Sequence, residues 1–300
     1  MPRKLPEAIR RLYPFTGKYF SHKTGKRSLN LHYLDEGAGE GEVVLMLHGN
    51  PSWSFLYREV VASLRDDFRC IVPDHLGCGL SDQPDVPGLY DLRQHTERLV
   101  ALIEHLGIKK FHLIVHDWGG AIGFGLARRM PERIGKIIVM NTAAFRSNSI
   151  PRRIAVCRWP LIGAILTRGL NGFVRAAEYM TTVNPLSERI RMAYRWPHQS
   201  WATRVSVWRF VRDIPLEKKH PSRGEIRATE EGLAQFASHP ILLCWGMQDW
   251  CFHGGFLKEF QRHFPKATTL SYPDAGHWLL EDKGAVIVPR IRAFLQSDLT

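Results

Sequence analysis

Asp117 lies where a predicted strand gives way to a predicted helix, and its carboxylate is well placed for chemistry. The apolar run at residues 111–115 predicts a buried strand, and the glycine-rich stretch 118–125 predicts a helix packed closely against it. A sharp turn of this kind, a nucleophile elbow, presents its central side chain at the end of a sheet. A carboxylate with an ordinary pKa of about 3.9 is ionised at neutral pH, so Asp117 could attack an sp3 carbon without a base. The alternative is that Asp117 only caps the helix.

Two further polar residues follow predicted strands downstream of Asp117. Asp249 comes shortly after the apolar strand at residues 241–245, and His277 follows a strand predicted near residues 268–272. Nucleophile, acid and histidine in this chain order are typical of a catalytic triad. We therefore predict that Asp249 orients the His277 ring, and that His277 activates a water to hydrolyse an ester formed on Asp117. A lone histidine is more often structural, and we assign three others to the scaffold: His48, His75 and His116.

The elements that would position these residues alternate between strands and helices. Short apolar runs predict strands, the first of them an edge strand, at residues 28–34, 43–47, 69–72 and 137–140. Helical spacing over residues 92–106 ends at Gly107, a suitable C-cap, and a last helix is predicted near 285–296. This alternation predicts a mostly parallel sheet with helices on both faces.

The alternation is interrupted after residue 145, where prolines divide the chain into short predicted helices such as 161–170 and 173–180. We predict that residues 1–145 and 226–300 form a core domain and that residues 146–225 form a helical cap. Ligands of parallel sheets bind beyond the carboxyl ends of the strands, so the cap would cover Asp117. Seven apolar cap residues could line a slot for an alkyl chain, although we expect most of them to pack on the core: Trp159, Leu161, Ile162, Ile165, Leu166, Leu170 and Phe173.

Composition limits the classes of function. The 300 residues are 44% hydrophobic, enough for one sizeable core with an insertion. The net charge of +12 is concentrated in residues 146–221, which hold fourteen Lys and Arg residues and four acids. Because these basic residues are interspersed with Trp, Leu, Ile and Phe, we expect a solvated face and no nucleic-acid partner. Contact with a membrane surface or an acidic pathway enzyme is the alternative.

Several missing signals set further expectations. The five cysteines lack metal-ligand spacing and are typical of reduced thiols in a cytoplasmic protein. No secretory leader or apolar run of bilayer length is visible, so we expect neither secretion nor a membrane span. Because no phosphate-binding loop, dinucleotide fingerprint or cluster of metal ligands appears, we predict neither a metal nor a cofactor. Association into a homo-oligomer stays open.

Four motifs together resemble one known family: HGNPSWSF at 48–55, DHLGCGLSD at 74–82, VHDWGG at 115–120 and DAGHWLLED at 274–282. Over nearly its whole length the chain is similar to α/β-hydrolases of the haloalkane dehalogenase type. The resemblance implies an α/β-hydrolase fold with an eight-stranded, mostly parallel sheet and an inserted helical cap. It also implies that the Asn50 and Trp118 side chains donate N–H groups to a departing halide ion, while their backbone N–H groups form an oxyanion hole. The implied activity is hydrolysis of a haloalkane to an alcohol.

Asn141 bears on which branch of this family the chain resembles. Some dehalogenases carry the triad carboxylate directly after the strand that precedes the cap, where this chain has Asn141, so Asp249 takes that role, as in the third subfamily. Residues 141–171 also resemble β-lactone decarboxylases of long-chain olefin biosynthesis. In that reaction Asp117 would open a cis-β-lactone, and anti elimination of carbon dioxide would give a cis-alkene without water. We predict haloalkane hydrolysis, with decarboxylation of an alkyl β-lactone as the alternative, and a small apolar substrate in either case.

Other activities on this fold can be weighed by single residues. Epoxide hydrolases share the Asp-Trp elbow but use two cap tyrosines, for which Tyr179 and Tyr194 are the candidates. Fluoroacetate-type dehalogenases carry Arg after the nucleophile, where this chain has Trp118. A non-enzymatic membrane-surface or scaffold protein built on this fold would be expected to have lost site residues, and none is lost here.

Overall fold

One eight-stranded sheet forms the centre of the molecule in the computed structural model, which describes residues 3–37, 39 and 41–297. In chain order the strands are β1 (Lys18–Thr24), β2 (Arg27–Gly37), β3 (Val43–Leu47), β4 (Arg69–Pro73), β5 (Phe111–Asp117), β6 (Ile134–Thr142), β7 (Ile241–Gly246) and β8 (Thr268–Tyr272). Across the sheet their order is β1-β2-β4-β3-β5-β6-β7-β8. Strand β2 is antiparallel to β1 and β4, and the other neighbours are parallel. The mostly parallel, eight-stranded sheet is therefore confirmed.

Helices precede, connect and follow the strands. They are α1 (Glu7–Arg10), α2 (Arg58–Leu64), α3 (Leu92–His105), α4 (Trp118–Ala127), α5 (Arg152–Cys157), α6 (Pro160–Ala164), α7 (Gly172–Met180), α8 (Glu188–Arg195), α9 (Val205–Arg212), α10 (Arg223–Gly232), α11 (Gly254–His263) and α12 (Leu279–Gln296). Across residues 3–37, 39 and 41–297, none of them combines the length and the hydrophobicity that a transmembrane span requires.

The two faces of the sheet bury alternate residues of each central strand, as the pleat of a strand requires. On β3, Leu45 and Leu47 belong to one buried cluster, whereas Val44 and Met46 belong to another. The first cluster contains side chains of α3, α4 and α11, and the second contains those of α1, α2 and α12. Because helices cover both faces, the middle residues of the central strands are apolar, and polar side chains such as Asp117 lie at the strand ends.

The structure corrects the sequence prediction at the edge of the sheet. The predicted strand at 28–34 is the middle of β2, which lies inside the sheet, and the true edge strand is β1. Strand β1 was not predicted, because only one of its side chains, that of Phe20, is buried and its sequence has no clear apolar pattern. The last helix also begins earlier than predicted, at Leu279, and is broken at Lys283.

The segment between β6 and β7 contains α5 to α10, so the predicted helical insertion after β6 is present. The helix predicted at 161–170 is shorter than expected: α6 is followed by a turn of π-helix over Ile165–Gly169. Helix α10 packs on α4 of the core. The division of the chain into domains at residues 146 and 225 stays a prediction.

Asp213, which follows α9, fastens the inserted segment to the core. Its carboxylate accepts hydrogen bonds from the Leu92 backbone N–H and from the Ser222 hydroxyl, each at 2.7 Å. Burial raises the pKa of Asp213 to about 7. Folding therefore leaves this carboxyl protonated between about pH 4 and pH 7, where the unfolded chain would release the proton.

Asp213→Asn is expected to raise the free energy of unfolding at about pH 8 by roughly 1 to 4 kcal/mol. Because the folded state binds the extra proton, the stability of the wild type falls as the pH rises from about 4 to 7, and the amide variant lacks that slope. Urea unfolding at a series of pH values measures both curves. Asp66→Asn, at an exposed carboxylate, is the matched control. Identical pH slopes in wild type and Asp213→Asn would contradict the prediction.

Candidate active site

Asp117 is the last residue of β5, and its backbone is held in an unusual conformation with φ 52° and ψ −127°. Small neighbours make this turn feasible, since a Cβ at Gly119 would lie 2.1 Å from the Leu47 carbonyl oxygen and one at Gly49 would lie 1.9 Å from Asp117 Oδ1. The Asp117 side chain makes no capping hydrogen bond to α4. The interpretation of Asp117 as a helix cap is therefore wrong, and its carboxylate points toward other partners.

The Asp117 carboxylate is buried between a backbone donor and a histidine ring. Its Oδ1 accepts a hydrogen bond of 2.6 Å from the Asn50 backbone N–H, and its Oδ2 lies 3.6 Å from His277 Nε2. Burial raises the pKa of Asp117 above its ordinary value, while the His277 ring and the N–H groups of Asn50 and Trp118 oppose that rise without cancelling it. A carboxylate with few water contacts is a stronger nucleophile than a hydrated one, provided that it stays ionised.

His277 and Asp249 form a hydrogen-bonded pair behind Asp117. His277 Nδ1 lies 2.8 Å from Asp249 Oδ2, and Asp249 Oδ1 accepts from the backbone N–H groups of Cys251 (2.7 Å) and Phe252 (3.1 Å). Burial would lower the pKa of His277, but the Asp249 carboxylate outweighs it and leaves that pKa above its ordinary value. Burial would raise the pKa of Asp249, yet the His277 ring and the N–H donors hold it below its ordinary value. An ionised Asp249 accepts a hydrogen bond from the Nδ1–H group of His277. The neutral ring therefore has an unprotonated Nε2, which faces Asp117.

Asn141 is a site residue whose role the sequence reasoning missed. Its Nδ2 donates to Asp249 Oδ2 at 3.0 Å, and its Oδ1 accepts from the Gly246 backbone N–H at 2.8 Å. Its backbone has φ 31°, in the left-handed region that asparagine tolerates. Asn141 thus positions Asp249 instead of replacing it. The sequence did place Asn141 directly after a predicted strand, where site residues of a parallel sheet are expected.

The three histidines assigned to the scaffold lie around the site without facing Asp117. His116 Nε2 lies 2.8 Å from the His277 carbonyl oxygen, and burial lowers the pKa of His116 to about 3. His75 donates its backbone N–H to His48 Nε2 at 3.1 Å. These rings connect the strand ends to one another.

Asp117 and His277 open onto a cavity of about 460 Å³ that Asn50 and Trp118 also line. Most of the remaining lining is apolar and comes from the segment after β6. The Asn50 side-chain Nδ2 donates to the Val207 carbonyl oxygen of α9 at 3.2 Å, which holds the amide against the inserted helices. Four of the five predicted site residues therefore surround one cavity, and Asp249 lies behind His277. An ionised carboxylate in such a cavity suits displacement of an anion from an apolar substrate.

Comparison with known proteins groups this arrangement with a family. Residues 42–284 match the family described as the alpha/beta hydrolase fold. The chain belongs to that family. Within it, the chain is 43% identical to a cis-3-alkyl-4-alkyloxetan-2-one decarboxylase of Shewanella oneidensis, over 96% of this chain and 91% of that protein. It is 32% identical to haloalkane dehalogenase 2 of Mycobacterium tuberculosis, over 90% of this chain and 92% of that protein.

The structure agrees with this relationship. A haloalkane dehalogenase from Bradyrhizobium elkani superimposes with a TM-score of 0.82 at 25% identity, covering 93% of this chain and 99% of that chain. The predicted α/β-hydrolase fold and the resemblance to haloalkane dehalogenases are therefore confirmed.

The tyrosines proposed for an epoxide hydrolase do not reach the cavity of this α/β-hydrolase. Tyr179 is 64% exposed, and the buried Tyr194 donates its hydroxyl to Glu281 at 2.5 Å. Neither side chain lines the cavity. The epoxide hydrolase alternative therefore loses the two residues on which it depended.

The seven apolar cap residues divide into two groups. Leu166 and Phe173 line the cavity. The other five neither line it nor pack on the core but are exposed: Trp159, Leu161, Ile162, Ile165 and Leu170. The expectation that most of these residues pack on the core is wrong, because no described element covers their side of the segment.

Proposed function

We propose that this protein decarboxylates cis-3,4-dialkyl β-lactones, releasing carbon dioxide and a cis-alkene. The observation that carries the proposal is the Asp117 carboxylate at the wall of a largely apolar cavity of about 460 Å³. An ionised carboxylate can act as a nucleophile there without a general base. Greater similarity to the decarboxylase (43% identity) than to the mycobacterial dehalogenase (32%) favours a lactone over a haloalkane. This reverses the order of the two activities predicted from the sequence.

The first step is displacement at a ring carbon. Asp117 Oδ2, opposite the oxygen bonded to the Asn50 N–H, forms a bond to C4 of the lactone with inversion, and the C4–O bond breaks. The electron pair of that bond stays on the former ring oxygen, which becomes part of a free carboxylate. The Trp118 indole N–H and the second N–H of the Asn50 side-chain amide are the donors available to receive this growing negative charge, because the other Asn50 donors bond Asp117 and Val207.

The second step returns the enzyme to its starting state. The bond from C3 to the new carboxylate breaks, its electron pair forms the C3=C4 double bond, and the C4–O bond to Asp117 breaks in the anti direction. Carbon dioxide and the alkene leave, and Asp117 is again a carboxylate. No water, proton or cofactor enters this balance, so the reaction does not need His277 as a base.

Haloalkane hydrolysis is the second candidate, and the His277–Asp249 pair is the observation that favours it. His277 Nε2 lies 3.6 Å from Asp117 Oδ2, and Asp249 holds the opposite ring nitrogen at 2.8 Å. An oriented imidazole beside the nucleophile is what hydrolysis of an alkyl ester on Asp117 needs.

The test is turnover of a cis-3,4-dialkyl β-lactone and of 1-bromobutane by the same preparation across a pH series, reading alkene and halide. We expect rapid alkene formation and slower halide release. Alkene formation needs only ionised Asp117, so it declines as the pH falls through a pKa that burial has raised above about 3.8. Steady-state hydrolysis also needs neutral His277, whose raised pKa makes this activity decline at a higher pH, above about 6.5.

Two results would count against the proposal. Efficient halide release with no alkene would make the protein a hydrolytic dehalogenase. If alkene formation and halide release declined at the same pH on the acid side of their pH–activity profiles, decarboxylation would depend on the same neutral histidine as hydrolysis.

A further inference from the structure

The outer side of the inserted segment carries an apolar patch that the catalytic chemistry does not use. Leu161 is 79% exposed, Leu170 63% and Ile165 56%, and a Cβ placed at Gly169 would lie 3.8 Å from the Trp201 ring and 3.9 Å from Ile165. Trp201 and Ile165 therefore lie on either side of Gly169, and the π-helical turn that carries Ile165 packs on both α6 and the turn at Ala202–Arg204. We call this exposed surface the outer apolar patch, and it consists of six residues: Trp159, Leu161, Ile162, Ile165, Leu170 and Trp201.

The surroundings of this patch are basic. Residues 146–177 contain six arginines and no Asp or Glu. Arg168 stacks on Trp201, with 4.4 Å from its guanidinium carbon to the ring centre, while pairing with Asp85 at 2.6 Å. Arg152 and Arg175 are exposed, and neither has a carboxylate partner within residues 3–37, 39 and 41–297. In sequence these two exposed arginines stand on either side of the patch residues between 159 and 170, so cations without a carboxylate partner among the described residues border that stretch of the chain.

The same segment forms part of the wall of the catalytic cavity. Ile154, Cys157, Leu166 and Phe173 line that cavity, and the five patch residues between 159 and 170 belong to the same stretch of chain. The segment is thus apolar toward the cavity and also toward solvent.

Charge complementarity selects the occupant of the patch. A second copy of the chain placed symmetrically on this surface would bring arginines against arginines, which disfavours self-association. An anionic bilayer offers the opposite charge for Arg152 and Arg175, an interfacial zone that suits Trp159 and Trp201, and a hydrocarbon boundary for Leu161 and its neighbours.

We propose that the outer apolar patch docks this protein peripherally on an anionic lipid bilayer, so that its substrate passes from the membrane into the cavity. The nature of that substrate, a dialkyl lactone, rests on the proposed function. The docking itself rests on the exposed apolar side chains and the unpaired arginines, and it can be measured without any substrate.

The test is sedimentation of the full chain with sucrose-loaded vesicles of phosphatidylcholine, with and without equal phosphatidylglycerol. We expect binding to the anionic vesicles, at least about tenfold weaker in Leu161→Asp/Ile165→Asp. The control is Val286→Asp, which places the same charge at a 52% exposed residue of α12 and should bind as the wild type does. Turnover of 1-bromobutane should be equal in all three proteins, because none of these side chains lines the cavity.

A second variant tests the charge. Arg152→Glu/Arg175→Glu should lose the preference for phosphatidylglycerol, and binding of the wild type should weaken as salt rises from about 0.05 to 0.5 M. Failure of the wild type to sediment with anionic vesicles, or equal loss in Val286→Asp, would overturn the proposal. Self-association in solution that Leu161→Asp/Ile165→Asp abolishes would overturn it in favour of a second copy. None of these readings depends on alkene formation, so they stand apart from the proposed function.

Discussion

Asp117→Ala is expected to abolish both alkene formation from a β-lactone and halide release from a haloalkane. Both reactions begin with a bond from the Asp117 carboxylate to an sp3 carbon, and no other carboxylate lines the cavity in the described part of the chain. Loss of a nucleophile that acts in this way lowers kcat by at least about a thousandfold. Turnover of each substrate under saturating conditions measures the effect.

Asp117→Asn provides the matched control for that result. The amide keeps the size of the side chain and an oxygen that can accept the Asn50 N–H, which bonds Asp117 Oδ1 at 2.6 Å in the wild type. We expect it to fold as the wild type does and to be inactive, and thermal unfolding of both proteins checks the first point. More than about a hundredth of wild-type activity in freshly purified Asp117→Asn would show that Asp117 is not the nucleophile.

His277→Ala is expected to separate the two reactions. With a haloalkane, Asp117 can still be alkylated, so halide release should stop after one equivalent and the alkyl ester should remain on the protein. With a β-lactone, elimination regenerates Asp117 without water, so alkene formation should fall by no more than about tenfold. Mass spectrometry of the intact protein detects the trapped ester, and product analysis measures the alkene.

His105→Ala, at an exposed histidine at the end of α3, is the control for loss of an imidazole. Asp249→Asn should resemble His277→Ala in milder form. The N–H groups of Cys251 and Phe252 would retain the amide oxygen, so the amide NH2 would face His277 Nδ1 in place of the acceptor that now lies at 2.8 Å. If His277→Ala destroys alkene formation as completely as hydrolysis, elimination without a base is wrong. If halide release continues for many turnovers, another group activates the water.

Much of the fold could be predicted from the sequence because its signals are local. The apolar runs that became β3, β5, β6 and β7 are short and bounded by turn residues, and the parallel arrangement follows from helices that alternate with them. The chain order of Asp117, Asp249 and His277 at predicted strand ends was enough to place them at one edge of the sheet. Strand β1 carried no such pattern, since only Phe20 of its side chains is buried.

The hydrogen bonds that assemble the candidate site depend on the tertiary structure. The Asn50 N–H reaches Asp117 Oδ1 across 67 residues of sequence, and Asn141 reaches Asp249 across 108. No periodicity encodes such pairs, because they depend on the order and register of strands β3, β5, β6 and β7. From the sequence, Asn141 could only be excluded as a charged partner of His277. That its amide donates a hydrogen bond to Asp249, in the loop after β7, was not predictable.

Local patterns in the sequence were enough to predict a candidate nucleophile, the chain order of a candidate triad and an apolar, basic insertion after β6. Which apolar residues of that insertion face the cavity, as Leu166 does, and which face solvent, as Leu161 does, became visible in the folded chain alone. Helical spacing records that a side chain is apolar, but whether it is covered depends on which elements lie against it. Burial is a property of the whole packed chain, and no single segment contains that information.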